Sequence, residues 1–233
     1  MLVLVFAMLT TYMSYHFEIR FNIDLTLLSI AIIFPLVFSI RGSFRRRERA
    51  LEHLSEFKSS LHTVRSFLLS RPDLVELYKK DVDNILLDIN LTVLHHLSGK
   101  EITIRNIDAS MQQVYDFVID KNETISRQIR DKVFRFMKDM HECVENLNAI
   151  HIHRTPISLK AYCLIFIYIF PFIYAPEIIK NVSVNQSTLI VYGVVFITQF
   201  ILISLYNIQN QLEYPFDSIG IDDINLNNFR LDR

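Results

Sequence analysis

The stretch TLLSIAIIFPLVFSIRGSFRRRERA, residues Thr26 to Ala50, joins a long apolar run directly to a cluster of arginines. No charged side chain occurs between Thr26 and Ile40, whereas five arginines occur among the next ten residues. A bilayer core of about 30 Å requires roughly 20 helical residues, and the apolar run approaches that length when it is counted from Ile23. We therefore interpret the stretch as a membrane-spanning helix that continues beyond the membrane as a charged helix.

Three further apolar stretches accompany this one in a chain of 233 residues. Hydrophobic residues make up 51% of the chain and charged residues 21%, with a mean hydropathy of +0.25, so the two kinds must occupy different segments. The first stretch reaches a spanning length if it continues to about Phe17, and the third if it begins at Ile157. The four apolar stretches are residues 1–12, 25–40, 161–175 and 188–206. This pattern predicts four spans and a multi-pass location in the cell membrane, in contact with membrane lipid.

The long polar segment between the second and third spans predicts the orientation. Twenty of the 24 lysines and arginines lie between Arg41 and Lys160. Basic residues next to spans favour the cytoplasmic side, so we expect this segment and both termini in the cytoplasm. The predicted domains are spans 1 and 2 in residues 1–40, a cytosolic helical domain in 41–156, spans 3 and 4 in 157–206, and a cytosolic turn and tail in 207–233.

The polar segment has the pattern of a helical bundle. Its glycines are Gly42 and Gly99, and Gly99 is placed to end a helix. Pro72 suits the first turn of a new helix, and Asp108 suits an N-cap. The predicted helices are residues 44–69, 72–97, 108–118 and 123–152. The predicted fold class is therefore all-α, with long helices that continue from the membrane into a cytosolic helical bundle.

The last of these helices, residues 123–152, carries an amphipathic stripe of apolar residues spaced three and four apart. The stripe consists of Ile125, Ile129, Val133, Phe136 or Met137, Met140, Val144 and Leu147. Packing against the other cytosolic helices is the favoured interpretation. A separate groove that binds a partner protein is the alternative.

No pattern typical of an enzyme active site occurs in the sequence. It contains no glycine-rich phosphate loop and no HExxH, CxxC or GxSxG motif. The histidine pairs His95–His96 and His151–His153 do not share a helix face, so we predict no metal site from them. Cys143 is interpreted as a small buried hydrophobic residue. We expect no enzyme activity, no metal and no cofactor other than the calcium considered below.

One face of the second span is a continuous apolar stripe. Its residues are Ile23, Leu27, Ile30 and Phe34, followed by Phe38. A lipid-facing stripe is the favoured explanation from composition alone. A hydrophobic constriction that gates ion flow by dewetting is the sharper alternative.

Two polar features within the spans predict contacts between helices. Pro35 removes the backbone N–H that would bond the Ala31 carbonyl, and a freed carbonyl is better placed against other helices or water than against lipid. Gln199 lies in the middle of the fourth span. Such a side chain usually hydrogen-bonds a neighbouring helix, and a direct place in an ion path is the alternative.

The basic cluster that follows the second span consists of Arg41, Arg45, Arg46, Arg47 and Arg49. Binding of anionic lipid headgroups, worth about 1 kcal/mol per charge, is the plain interpretation. Concentration of permeant anions at a pore mouth is the functional alternative. Nucleic acid is not expected as a partner, because the cluster adjoins a span and lacks interleaved aromatic residues apart from Phe44.

Three stretches together resemble one family, the bestrophin-like channels. The opening stretch is similar to the family's second span, in which an apolar pore helix continues without a break into a polar cytosolic stretch. HRTPISLKAY, residues 153–162, resembles the proline-containing beginning of the third span. LEYPFDSIGIDDINL, residues 212–226, resembles the family's Glu-x-Pro-Phe-Gly turn and the acidic patch that follows the fourth span.

The resemblance covers nearly the whole chain and implies a homopentamer around a central pore lined by the second span. The implied hydrophobic neck draws on Ile23, Leu27, Ile30 and Phe34. The function it implies is passive conduction of small ions, with chloride-type anions favoured and cation selectivity left open by Glu48 and Glu52. The alternative from a different class is a non-conducting membrane anchor that presents a helical partner-binding module.

The chain also departs from the family pattern, as in a divergent bacterial-type member. It contains no tryptophan, and Asp217 stands where the family turn has glycine. In animal members this turn binds calcium together with a segment before the first span, and here Met1 already belongs to that span. We therefore expect Asp217, Asp222 and Asp223 to act mainly as a structural latch that meets the basic cluster, with calcium at the turn as the alternative.

Overall fold

The computed structural model describes residues 2–181 and 188–232, which form seven α-helices and one short 3₁₀ helix. The helices are α1 (Leu2–His16), α2 (Leu25–Leu69), α3 (Glu76–Leu97), α4 (Ile104–Asp120), α5 (Arg127–Ile152), α6 (Ile157–Asn181) and α7 (Thr188–Leu212). The 3₁₀ helix spans Leu226–Phe229. The described residues contain no β-strand, and the predicted all-α fold class is confirmed.

The chain divides into two compact units. The apolar unit comprises Met1–Phe44 and Thr155–Glu213, and the polar unit comprises Arg45–Arg154 and Tyr214–Arg233. The apolar unit therefore holds α1, α6, α7 and the first part of α2. The polar unit holds the rest of α2, α3, α4, α5 and the 3₁₀ helix.

Three helical segments of the described chain are long and apolar enough to cross a membrane. They lie within Leu25–Leu69, Arg127–Asn181 and Thr188–Leu212. The first apolar helix, Leu2–His16, has 15 residues, which is below the lower limit of about 17 for a straight span. The predicted crossing by α1 thus depends on a locally thinned bilayer.

The helix α2 extends without interruption over 45 residues, as the opening stretch predicts. Most of its residues after Arg41 are strong helix formers such as leucine, arginine, glutamate and alanine. The prediction of one helix that leads from an apolar into a charged segment is confirmed.

The starts of three other helices in the polar unit differ from the predicted ones. α3 begins at Glu76 rather than Pro72, because Val75 has an extended backbone. α4 begins at Ile104 rather than Asp108, because the Asn106 side chain accepts a hydrogen bond of 3.0 Å from the Thr103 N–H and caps the helix earlier. α5 begins at Arg127 rather than Glu123, after Ser126 in the N-cap position.

The core of the polar unit lies between α2, α3, α4 and α5. The apolar stripe of α5 is buried in this core, with Val133, Met137 and Met140 fully inaccessible to solvent. Phe57 and Leu61 of α2 are equally buried in the same cluster. The favoured interpretation of the stripe, packing against the other helices of its own domain, is confirmed.

In the apolar unit α1, α6 and α7 pack against one another in pairs. Ile32 of α2 joins their core beside Ile167, Phe170 and Leu202. α6 contains Pro171 and Pro176 and continues to Asn181, six residues beyond the apolar stretch predicted for this span. The remainder of the predicted outer loop, residues 182–187, lies outside the described residues.

Candidate pore helix and acidic turn

The first part of α2 has one buried face and one open face. Ile32 and Leu36 on the buried face are 2% and 1% exposed. On the open face, Leu27 is 74% exposed, Ile30 46% and Phe34 56%. Because these three residues are spaced three and four apart, they form one helical stripe that no other helix of the same chain covers among the described residues.

Ile23 does not belong to this helical stripe, which corrects the predicted set. It precedes the first residue of α2, and its backbone N–H donates a 3.0 Å hydrogen bond to Glu177 Oε2 of α6. The helix begins later because Asp24 Oδ1 accepts a 2.8 Å hydrogen bond from the Thr26 N–H and caps it. Aspartate is among the residues favoured in this position.

Two prolines inside helices of the apolar unit each leave a backbone carbonyl without its usual hydrogen bond in the helix. A side chain of another helix donates a hydrogen bond to each of these carbonyls. Pro171 lacks the N–H that would bond the Ile167 carbonyl, and the Gln199 amide donates to that carbonyl at 2.7 Å. The predicted interhelical hydrogen bond of Gln199 is therefore confirmed. Pro35 frees the Ala31 carbonyl in the same way, and the Tyr162 hydroxyl donates to it over 3.5 Å.

The basic cluster divides into exposed and partly covered side chains. Arg41, Arg45 and Arg49 are exposed, whereas Arg46 and Arg47 are half-buried. The Arg47 guanidinium Nε donates a 2.6 Å hydrogen bond to the backbone carbonyl of Asp222. The exposed arginines are available to lipid headgroups or to anions in solution.

The acidic turn, residues 215–224, is closed by its own backbone and carboxylates. The Ile224 N–H donates to the Pro215 carbonyl at 2.8 Å. Asp217 Oδ1 accepts from the Ile219 N–H at 3.1 Å, and Asp223 Oδ2 accepts from the Gly220 N–H at 2.8 Å. These bonds fix the turn from within.

Gly220 permits the close approach of the Asp223 carboxylate. A Cβ atom at position 220 would lie 2.5 Å from Asp223 Oδ1, so a larger residue would displace the carboxylate. Burial and a hydrogen bond shared with Asp217 raise the pKa of Asp223 above its ordinary value. The turn therefore holds two carboxyl groups close together. Because like charges repel, the state in which both groups are ionised is disfavoured.

The predicted pairing between the acidic turn and the basic cluster takes a different form. No ion pair forms in the described residues between the carboxylates of Asp217, Asp222 or Asp223 and an arginine of the cluster. Instead, Arg47 binds the turn through the Asp222 carbonyl. The carboxylates of Asp217 and Asp223 are committed to amides of their own turn, which explains the difference.

Residues on each side of the turn anchor it. In the polar unit, Phe216 is 2% exposed, lies in the core and packs near the His151 ring. The Arg154 guanidinium lies 4.5 Å from the centre of the Tyr214 ring. In the apolar unit, the buried Glu213 carboxylate accepts from the Thr155 N–H at 2.9 Å and forms an ion pair with Lys160.

Sequence reasoning missed one cluster of polar side chains in the polar unit. His53 and Glu56 of α2 meet Cys143 of α5, and their donor atoms lie within 4.8 Å of one another. Burial, followed by the nearby Glu56 charge, raises the pKa of the Cys143 thiol to about 12. A separation of about ninety residues between His53 and Cys143 leaves no local motif by which the sequence could indicate the cluster.

These features define an integral membrane protein in which a long helix with an open apolar stripe leaves the membrane as part of a helical polar unit. Comparison with solved structures describes the fold more specifically. A bacterial bestrophin homolog from Klebsiella pneumoniae, solved by Zn-SAD phasing, matches with a TM-score of 0.80 at 14% sequence identity over 98% of this chain and 93% of that chain. A point mutant of the bestrophin homolog from the same organism matches with a TM-score of 0.81 at 15% identity over the same shares.

The chain therefore has the fold of the bacterial bestrophin homologues, as the sequence resemblance implied. No protein-family model and no curated protein matches the sequence. The likeness extends over both units, since it covers nearly the whole chain. The low identity fits the expectation of a divergent sequence on this fold.

Proposed function

We propose that this protein is an ion channel that passively conducts small ions through a homopentameric pore lined by the first part of α2. The observation that carries the proposal is the open apolar stripe of Leu27, Ile30 and Phe34 on a membrane-spanning helix of a chain with the bestrophin fold. No observation on the described residues gives comparable support to a function as an enzyme.

The stripe suits a hydrophobic pore neck. Five copies of Phe34 and Leu27 around a symmetry axis would narrow the pore and expel water when it is closed. Since the opposite face of α2 is buried against α6 and α7 through Ile32, the open face has to be covered by lipid, by a neighbouring copy or by the pore itself. Ile23, which precedes the helix, stays a candidate for the outer end of the neck.

Chloride-type anions are the favoured cargo. The exposed guanidinium groups of Arg41, Arg45 and Arg49 raise the local concentration of anions near one end of the proposed pore, and five copies multiply the effect. Glu48 lies in the same run, is exposed and counteracts this field. The sign of the selectivity is therefore part of the proposal that the experiment tests.

We infer an orientation with the polar unit and both termini in the cytoplasm, because the basic residues flank the spans on that side. The exposed arginines next to the span then contact anionic lipid headgroups of the inner leaflet. The acidic turn is proposed to act as a structural latch of the polar unit, with calcium at Asp217 and Asp223 as the alternative. Direct calcium titration, read out by thermal unfolding, distinguishes the two roles, since a latch needs no ion.

The rival function, a non-conducting anchor with a partner-binding module, loses its main support. That support was the apolar stripe of α5, and its residues Val133, Met137 and Met140 are buried within the polar unit. A free groove on this face is therefore not available to a partner.

Reconstitution in a planar bilayer under a salt gradient tests the proposed function. The purified protein should produce a current that empty membranes lack, with a reversal potential on the side of the chloride equilibrium potential. A current that reverses near the cation potential would replace anion with cation selectivity. Membranes that contain the protein and carry no current would refute the channel.

A further inference from the structure

Three potential metal ligands from α2 and α5 converge in the polar unit. His53 Nδ1 lies 3.3 Å from Glu56 Oε2, and Cys143 Sγ lies 3.7 Å from the same oxygen. All three atoms lie within 4.8 Å of one another. No other group of three such side chains converges this closely within residues 2–181 and 188–232.

Two of the three separations match those between ligands of a tetrahedral zinc site. Zinc bonds of about 2.0–2.2 Å to nitrogen and oxygen and about 2.3 Å to sulfur place neighbouring ligand atoms roughly 3.3–3.7 Å apart. The distances from Glu56 Oε2 to His53 Nδ1 and to Cys143 Sγ fall within that range. The third distance, between His53 Nδ1 and Cys143 Sγ, is at most 4.8 Å, so small side-chain rotations bring all three donors to the spacing of one ion.

Helix packing holds the three side chains in place. His53 and Glu56 are three residues apart on α2 and so share one face. Leu54 and Phe57, their neighbours in sequence, are fully buried in the core, and Cys143 is 4% exposed on the packed face of α5. The ligand positions are thus set by two packed helices rather than by a loop, which favours a defined coordination geometry.

The surrounding cavity is acidic and has room for a further ligand. Its volume is about 580 Å³, and no lysine or arginine occurs among the described residues that line it. Asp139 lies four residues before Cys143 on the same face of α5, and Glu142 adds a third carboxylate. The lining residues are His53, Ser55, Glu56, Ser59, Ser60, Asp139, Glu142, Cys143 and Asn146. The net negative charge attracts a cation.

We propose that His53, Glu56 and Cys143 bind a divalent transition-metal ion of the zinc class, with water or Asp139 as the fourth ligand. An imidazole, a thiolate and a carboxylate suit zinc and cobalt, whereas calcium and magnesium prefer sets of oxygen ligands. The bound ion ties α2 to α5 within the polar unit. The proposal is independent of ion conduction, because its test measures binding.

Titration with Co²⁺ tests the site directly in the full chain, purified in detergent without a polyhistidine tag and with a non-thiol reductant. We expect one Co²⁺ per chain and the near-ultraviolet charge-transfer band of a cobalt–thiolate bond. Zn²⁺ should remove the band by displacing cobalt, whereas an excess of Mg²⁺ or Ca²⁺ should leave it unchanged. A wild-type protein that shows no such band on saturation with Co²⁺ would overturn the proposal.

Matched variants assign the ligands. Cys143→Ser should abolish the band, whereas Cys163→Ser, which changes the other cysteine of the chain, should retain it. His53→Ala should weaken Zn²⁺ binding at least about tenfold, and His62→Ala, at an exposed position of the same helix, should not. An equal band in Cys143→Ser would contradict the site. If Cys143→Ser does not fold, unchanged Zn²⁺ affinity in both His53→Ala and Glu56→Gln would contradict it equally.

Discussion

At the scale of single residues, Asp217 and Asp223 form the most unusual electrostatic pair of the polar unit. Each carboxylate accepts a backbone N–H of the same turn, and the two share a hydrogen bond that, after burial, raises the pKa of Asp223. A raised pKa means that the folded turn binds a proton more tightly than the unfolded chain does. The turn therefore gains stability as the pH falls through the pKa of folded Asp223 towards 3.8, and it lacks this gain at neutral pH.

The substitution Asp217→Asn should weaken this pH dependence and leave the part that burial of Asp223 causes. An asparagine can still accept the Ile219 N–H, but it adds no second negative charge beside Asp223, so the pKa of Asp223 should fall. At neutral pH the variant should unfold at a higher temperature than the wild type, and the difference should shrink as the pH is lowered towards 3.8. Thermal unfolding followed over that pH range provides the measurement.

Asp222→Asn is the matched control for this prediction. Its carboxylate takes part in none of the hydrogen bonds described for the turn, and Arg47 binds its backbone carbonyl, which the substitution retains. The control should follow the wild type at every pH. A wild type and an Asp217→Asn variant with the same pH profile would show that the two carboxyl groups titrate independently.

Residue patterns in the sequence predicted local features better than distant ones. The Asp24 cap and the interhelical bond of Gln199 were predictable, because a polar residue at a helix start or inside a span has few alternatives. Ile23 was wrongly placed on the helical stripe, because the spacing of apolar residues was followed past Asp24, where the helix begins. The meeting of His53 with Cys143 depends on tertiary packing of α2 on α5, and no spacing in the sequence encodes it.

At the scale of elements, two prolines inside helices of the apolar unit free carbonyls that have polar partners on neighbouring helices. Pro171 frees the Ile167 carbonyl for Gln199, and Pro35 frees the Ala31 carbonyl for Tyr162. A carbonyl without a partner is costly in a membrane, because no water replaces the lost bond. Each proline and its polar partner therefore act as one unit of packing between helices.

The substitution Gln199→Leu should destabilise the apolar unit by about 1–3 kcal/mol, because it leaves the buried Ile167 carbonyl without a donor. Pro171→Ala restores a backbone N–H to that carbonyl, so the same glutamine substitution should cost much less in the Pro171→Ala background. Unfolding in detergent, compared across the four members of this double-mutant cycle, measures the coupling.

Gln211→Leu provides a control with the same chemical change at an exposed position of α7. It should alter stability little in either background. An equal cost of Gln199→Leu with and without Pro171 would mean that the glutamine does not serve the freed carbonyl.

The existence of the helices was more predictable than their starting points. α2 was predictable from its long run of apolar residues followed by charged helix formers. The end of α3 was predictable from Gly99, whose φ of +78° suits the turn at the C-terminus of a helix. The start of α4 was missed because Asp108 was taken as the N-cap, although Thr103 and Asn106, three residues apart, form an earlier capping box. The start of α5 directly after Ser126 was predictable in principle, since serine is a favoured N-cap residue.

At the scale of the whole molecule, the open stripe of α2 has to be covered by lipid, by a neighbouring copy or by the pore. Leu27, Ile30 and Phe34 are between 46% and 74% exposed in the single chain. A ring of identical chains satisfies this requirement and creates a central path at the same time.

The protein purified in mild detergent should therefore have five times the chain mass of 27.5 kDa, after subtraction of bound detergent. Light scattering coupled to size-exclusion chromatography, or native mass spectrometry, measures this stoichiometry. A monomer or dimer in several detergents and in lipid nanodiscs would contradict the pentameric channel, whereas it would suit the membrane-anchor alternative.

The central claim is that the open face of α2 lines a conducting pore, and a single substitution tests it in all subunits of the assembly at once. Phe34→Ala removes one aromatic side chain from each subunit around the proposed neck and should widen the constriction. Phe200→Ala makes the same change at an exposed position of α7, where Phe200 is 52% exposed, and serves as the control.

The most direct measurement is the current of wild type, Phe34→Ala and Phe200→Ala in planar bilayers under the same salt gradient. We expect a severalfold larger current for Phe34→Ala and a wild-type current for Phe200→Ala. Equal currents for Phe34→Ala and the wild type would contradict the claim that this face of α2 lines the pore, and the absence of current in both would refute the channel itself.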